Sequence, residues 1–304
     1  MDLGALAQLD PATLRSLFPA FLSGFIVDPE ASANNRERVG AVVSDWSDDT
    51  VRSVLQTLTS SGESFTFYPA NPACRSLNRA WSRDAIPGHT LVGVEHLRAA
   101  ADAGPAIVLC NHFAYYDANA TDAILAWEGH ADLADRLFYA AGPKVFQAMF
   151  RRVAASCLNT VLVPQSTQLS HTDRLAPREL AKRAIQSMDA AREAVAGGHI
   201  LLLYPEGSRT RTGRMQSFLK GVHRYLALGD GLQVVPATIV GTDTVMSVGS
   251  DERIVPSEVT LTFLPALRVD DAPGTRAVLA EAHTRIAAAL PEVHRPEPGT
   301  PPVA

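Results

Sequence analysis

The sequence predicts an α/β fold: a mixed, mostly parallel sheet flanked by helices, with a small N-terminal helical domain ahead of it. Three observations carry this. After Pro87-Gly88, short apolar runs alternate with helical patterns, as in a sheet covered by helices on both faces. Before Phe65 no strand pattern occurs, and capped helical segments prevail. A chain of 304 residues with a hydrophobic fraction of 46% is long enough for one large core and a smaller accessory region.

The elements follow in order. Asp10 before Pro11 reads as an N-cap with proline at the first helical position. The helix continues through ATLRSLFPAFLSGF, where Pro19 is expected to bend or divide it. Ser47-Asp48-Asp49 opens a second helix, VRSVLQTLTSS, ended by Gly62. Beyond residue 88 the strand candidates are AIVLC (106–110), RLFYAAG (136–142), NTVLVP (159–164), HILLLYP (199–205), QVVPATIVG (233–241) and VTLTFLPALRV (259–269). Between them lie helical patterns at 117–128, 144–156, 179–198 and 275–290. We therefore expect a helical domain over residues 1–80 and an α/β domain over 81–304. The Pro-rich tail PEVHRPEPGTPPVA is expected to be loose.

Composition excludes several classes. The formal net charge is −5, from 27 basic and 32 acidic side chains, which argues against nucleic acid as a partner because phosphate neutralisation needs a basic face. Cys74, Cys110 and Cys157 are odd in number and far apart, so neither a disulfide framework nor a Cys-rich zinc site is expected. They fit a reducing, cytoplasmic compartment. The N-terminus lacks the pattern of a secretory signal, and no apolar run reaches the roughly 18 residues that cross a bilayer. We expect a protein that is soluble or attached to a membrane surface. No G-x-S-x-G elbow, no Walker sequence and no complete dinucleotide fingerprint is present. His130, His171, His199, His223 and His283 show no ligand spacing, and no metal is expected. Cys110 reads as a small apolar residue at a strand end rather than a nucleophile.

Two strand exits carry chemistry, since sites on open α/β sheets lie just beyond the strand ends. The first is Asn111-His112-Phe113-Ala114-Tyr115-Tyr116-Asp117, directly after AIVLC. Asp117 opens a helix, and one of its oxygens can reach back to the His112 ring, the arrangement of a general base and its orienting carboxylate. The bland alternative makes Asp117 an N-cap and His112 a polar residue at a strand exit. The second is Tyr204-Pro205-Glu206-Gly207-Ser208-Arg209-Thr210-Arg211-Thr212-Gly213. It sets a carboxylate, a glycine permitting close approach and two arginines with forked donors suited to phosphate in one loop. Its bland alternative is a solvated turn. A third strand carries Val235-Pro236-Ala237, where a proline suggests a strand leaving the sheet or lying at its edge. The stretch Lys144 to Arg152 mixes aromatics and cations; it suits a membrane surface or a carrier protein, or simply a helix packed on the sheet.

Together these segments resemble the glycerol-3-phosphate and 1-acylglycerol-3-phosphate acyltransferase superfamily. Its N-H-x-x-x-x-D motif is matched by Asn111 to Asp117. Its F-P-E-G-T-R-S motif is matched by Tyr204 to Thr210, with Tyr for Phe, Ser for Thr and Thr for the final Ser. Its V-P-[AVI] motif is matched by Val235 to Ala237. The likeness covers about residues 88–270. In layout the chain looks most like the soluble plastid-type glycerol-3-phosphate acyltransferases, whose A-G-[DN]-[RK]-V run is similar to Ala141 to Val145.

The resemblance implies direct acyl transfer from acyl-CoA or an acyl-carrier protein, with no cofactor beyond that co-substrate. It implies His112 and Asp117 as the catalytic pair, and Gly142, Lys144, Glu206, Gly207, Ser208, Arg209 and Arg211 as substrate-binding residues. The acceptor would be glycerol 3-phosphate, a lysophospholipid or another small polar or phosphorylated alcohol, with peripheral contact to a membrane. The family pattern places a basic residue after the strand ending at Pro164. Here Gln165-Ser166-Thr167-Gln168 follows, and His171 and Arg174 are the nearest substitutes. That departure keeps open O- or N-acylation of a non-glycerol acceptor, such as an amino-lipid or a secondary metabolite. A non-catalytic lipid- or carrier-binding protein is the alternative of another class; an intact His112/Asp117 pair argues against it.

Overall fold

The computed structural model describes residues 8–164 and 176–304. Among the described residues nine strands form a mixed sheet: β1 (Phe67–Tyr68), β2 (His89–Val92), β3 (Ala106–Cys110), β4 (Leu137–Ala141), β5 (Asn159–Leu162), β6 (Ile200–Leu203), β7 (Gln233–Val240), β8 (Val259–Phe263) and β9 (Leu267–Arg268). Helices flank it, and the α/β class expected from the alternation is the class observed. Among the described residues no helix is long and apolar enough to cross a membrane.

Residue contacts divide the chain into two compact units that interleave in sequence. One comprises Met1–Pro87, Tyr139–Ala190 and Glu252–Pro256; the other comprises Gly88–Phe138, Ala191–Asp251 and Ser257–Ala304. Where a division into 1–80 and 81–304 is expected, the contacts group the N-terminal helices with the 139–190 segment.

In the first unit, helices Pro11–Ser23, Pro29–Ser44, Asp48–Ser60 and Pro72–Ala85 each begin at a capping side chain. Asp10, Asp28, Ser47 and Asn71 accept first-turn N–H groups that the helix itself leaves without partners. Pro19 lies inside Pro11–Ser23 without dividing it; one helical hydrogen bond is forfeited, while its ring is buried with Leu14, Phe18 and Leu22. The helix expected at 144–156 is two pieces, a 3-10 turn at Pro143–Phe146 and a helix at Met149–Ser156, because Ala148 between them is extended. The second piece explains why this segment joins the helical unit. Phe150 packs on Phe25 and Trp81, with ring centroids 4.1 and 5.7 Å away. Arg152, itself buried, donates to the carbonyls of Leu58, Ser61 and Phe146. Buried donors need such partners, and no hydrophobic pattern announces them.

The second unit centres on β3, whose five residues are all buried and which pairs in parallel with β6 on one side and β7 on the other. A strand covered on both faces reads as a continuous apolar run. β7 pairs antiparallel with β8 and with β9, and β8 pairs in parallel with β2. The strand expected over 259–269 is therefore split into β8 and β9, with Pro265, which lacks an N–H for the ladder, between them. Pro236 is not at a strand exit or sheet edge but inside β7, opposite Leu109. It is tolerated there because its carbonyl accepts from Leu264, just past the last β7/β8 pair, Ala237 with Phe263. Nitrogen and carbonyl of one strand residue face the same side, so the missing donor falls where the ladder stops.

The Pro-rich tail is bound rather than loose. Phe218 bridges to Val303, and the N–H groups of Phe218 and Ala304 donate to the carbonyls of Pro302 and Phe218. The Ser217 hydroxyl donates to Pro301 and the Met215 N–H to His294. Main-chain groups of Met215 and Phe218 that no named strand satisfies find their partners in the tail.

Candidate active site

The register of the parallel strands brings the two chemistry-bearing loops together. Leu109 of β3 stands opposite Leu203 of β6. Parallel strands end on the same side, so the residues that leave them, Asn111-His112 and Tyr204-Pro205-Glu206, emerge side by side. Asn111, fully buried, extends the β3/β7 pairing with its side chain: its amide donates to the Ile239 carbonyl at 2.8 Å and its oxygen accepts the Ile239 N–H at 2.9 Å. The next residue is thereby aimed out of the sheet at a fixed point.

His112 Nδ1 lies 2.8 Å from Asp117 Oδ2. A carboxylate only accepts, so Nδ1 carries the proton, and in the neutral imidazole Nε2 holds the lone pair. The imidazole keeps 16% of its surface exposed while Asp117 is fully buried. Asp117 also accepts the main-chain N–H groups of Phe113 and Ala114 at 2.8 and 3.1 Å. It is therefore not the N-cap of its helix: Tyr116 occupies that position, and the carboxylate folds back onto the preceding loop. This geometry suits a base with a fixed tautomer and a counter-charge for the imidazolium.

The 204–213 loop closes around the same histidine. The Tyr204 ring stacks on the His112 imidazole, with centroids 4.1 Å apart and planes 12° from parallel. Thr210 N–H donates to the His112 carbonyl at 3.1 Å. Glu206 is buried and spends both oxygens on main-chain donors, the N–H groups of His112 and Gln216, each at 2.8 Å. Burial pushes its carboxyl up to about 8, opposed by those two donors and reinforced by the Asp117 charge. Gly207 has φ +72°, and a Cβ there would stand 2.2 Å from Leu219 Cδ1, so the turn requires glycine. Arg209 places its guanidinium carbon 3.5 Å from the centre of the Tyr115 ring. Burial pushes the Cys110 thiol well up, which fits a packing residue rather than a nucleophile.

An acyltransferase family model matches residues 90–240, a span holding both loops. Residues 90–240 form an acyltransferase-family domain. Proteins named 1-acyl-sn-glycerol-3-phosphate acyltransferase from Limnanthes douglasii and Limnanthes alba are 37% and 36% identical to it over 112 residues, 36% of this chain. The match spans 38% of the length of each of these relatives. The solved structure of the 1-acyl-sn-glycerophosphate acyltransferase PlsC from Thermotoga maritima is similar with a TM-score of 0.53, over 90% of this chain and 94% of that one. At 13% identity that likeness is one of fold.

The expected site residues fall into three groups. His112, Asp117, Glu206, Gly207, Ser208, Arg209 and Arg211 lie in the second unit, on the two loops described. Arg211 is exposed, whereas Arg209 is half-buried against Tyr115. Gly142 and Lys144 belong to the first unit, at the start of the Pro143–Phe146 turn. There the Lys144 carbonyl accepts from Arg151 at 2.8 Å. Gln165 to Gln168, His171 and Arg174 lie outside the described residues. Glu206, expected to bind substrate, has each of its oxygens on a main-chain N–H, one from each loop segment it touches. Tyr115 and Tyr204 were not singled out in the sequence, where an aromatic beside a motif looks like ordinary packing.

Proposed function

We propose that this chain moves an acyl group from a thioester donor, acyl-CoA or acyl-carrier protein, to the free hydroxyl of a 1-acylglycerol 3-phosphate type of acceptor. The observation that carries the reading is the 2.8 Å contact of His112 Nδ1 with buried Asp117, which leaves Nε2 as the acceptor of a proton. The plant relatives' names supply the acceptor class.

His112 Nε2 takes the proton of the acceptor hydroxyl as its oxygen forms a bond to the thioester carbonyl carbon. Collapse of the tetrahedral adduct breaks the carbon–sulfur bond. The proton on Nε2 passes to the departing sulfur, so ester and free thiol leave and the base is restored. Asp117 holds the imidazolium formed between the two steps. Arg209 and Arg211 face the acceptor phosphate as forked, charge-assisted donors. No further cofactor enters this scheme, and an acceptor of this kind places the protein at a membrane surface.

The test is thiol release by the purified protein with acyl-CoA or acyl-carrier protein, offered lysophosphatidate, glycerol 3-phosphate and an uncharged lysolipid in turn. Acceptor-dependent release with a phosphate-bearing acceptor preferred is the expected result. Preference for an uncharged or amino acceptor moves the chain to the non-glycerol reading. Donor binding with no release under any acceptor makes it a binding protein.

A further inference from the structure

We infer that Tyr204 and Tyr115 are positioning residues that brace the two loops reciprocally: Tyr204 of the second loop holds the base of the first, and Tyr115 of the first holds the arginine of the second. This rests on the reading of His112 as base and Arg209 as acceptor ligand. Two independent distances support it, the 4.1 Å near-parallel stack of Tyr204 on His112 and the 3.5 Å seat of Arg209 on Tyr115.

A single hydrogen bond from Nδ1 to Asp117 leaves the imidazole free to wag about that bond, which sweeps Nε2 through an arc. A flat ring against one face removes the motion, and proton transfer in a bound complex is sensitive to displacement on that scale. Asp117 thus fixes the direction of the ring and Tyr204 fixes its plane. Arg209 poses a different problem, because a long flexible side chain on a loop loses entropy when it grips a phosphate. The Tyr115 face pre-orders it. Stacking engages the face of the guanidinium, whereas phosphate binding uses the N–H groups in its plane, so the two do not compete. Because each ring comes from the opposite loop, correct placement of base and arginine both depend on the same β3/β6 register.

The test compares Y204A, Y204F, Y115A and Y115F with wild type in steady-state thiol release using lysophosphatidate. Y204A is expected to lower kcat by ~10-fold or more with a much smaller change in acceptor KM, and Y115A to raise acceptor KM by ~5-fold or more with a much smaller change in kcat. Each Phe variant restores most of the loss, since the ring face is what acts. Parallel falls in kcat and rises in KM for both Ala variants, or no recovery with Phe, overturn the proposal. A second measurement separates it from the functional reading. The His112 ring protons should resonate upfield in the wild type, from the Tyr204 ring current, and move downfield in Y204A but not in Y115A. Absence of that shift sinks the bracing whether or not the protein is active. Its presence in a protein that transfers no acyl group sinks the acyl-transfer reading and leaves the bracing of His112 standing.

Discussion

Glu206 accepts the main-chain N–H of His112 at 2.8 Å across 94 residues of sequence, with its other oxygen on Gln216. The carboxylate of the loop motif is turned inward and pins His112 to the neighbouring loop. The consequences of that pin can be measured.

Glu206→Gln replaces one accepting oxygen with a donor; above about pH 8, where the carboxyl is ionised, one main-chain N–H thereby loses its partner, a loss of about 1–3 kcal/mol of stability. Activity should fall mainly through kcat, with acceptor KM nearly unmoved, because the residue positions His112 rather than touching the acceptor. A large rise in KM with kcat preserved would return Glu206 to the acceptor site.

The same variant should change the pH dependence of stability. Burial raises the Glu206 carboxyl from 4.5 to about 8, so between those values the folded chain holds a proton that the unfolded chain has released. With more protons bound in the native state, the slope of unfolding free energy against pH is negative. This contribution is fully present below pH 4.5 and is lost as pH rises through about 8. Urea midpoints from pH 4.5 to 9 should fall more steeply in wild type than in Glu206→Gln; equal slopes contradict it.

His112→Ala should reduce turnover by ~10²–10⁴-fold, the usual size of general-base help. Asp117→Asn should lose most activity too, since an amide does not balance an imidazolium. It should also destabilise the fold by about 1–3 kcal/mol, because the amide confronts the Phe113 and Ala114 donors less well than a carboxylate. Retention of more than ~10% of turnover in His112→Ala removes the histidine from the chemistry.

Arg209→Ala should raise the KM for a phosphorylated acceptor by about tenfold, equivalent to ~1.4 kcal/mol of charge-assisted binding, with Lys restoring only part. Arg211→Ala should do less, because Arg211 is exposed whereas Arg209 is seated on Tyr115. Kinetics with an uncharged lysolipid provide the control. An equal KM change with that acceptor assigns the arginines to the donor phosphates instead.

Gly207→Ala meets two penalties, a left-handed backbone at φ +72° and a Cβ 2.2 Å from Leu219 Cδ1. The first costs about 1–2 kcal/mol for an L-residue. Pairing it with Leu219→Ala should recover only the steric share. Full recovery of the urea midpoint in the double variant shows that the backbone is not strained there.

Much of this was legible in the chain because it is local. The run AIVLC is a buried strand since its five apolar residues have polar neighbours only at the exit. Asp10, Ser47 and their like announce helix starts because a capping side chain reaches only three residues ahead. Less legible were the broken helix at Ala148, the divided strand around Pro265 and the docked tail. In each, a distant main-chain group or a single extended residue decides the outcome, and periodicity does not register it.

By itself the sequence determined the α/β alternation and the His112–Asp117 pair, because five residues of a tight loop suffice to bring an imidazole and a carboxylate to 2.8 Å. It also placed a carboxylate and two arginines in one loop. Only the tertiary structure decided what those groups do. The parallel pairing of Leu109 with Leu203 sets Tyr204 flat on His112, turns Glu206 onto main-chain donors and lays Arg209 over Tyr115. These contacts join residues some ninety positions apart, and their geometry is fixed by strand register, which side-chain spacing along either loop does not encode.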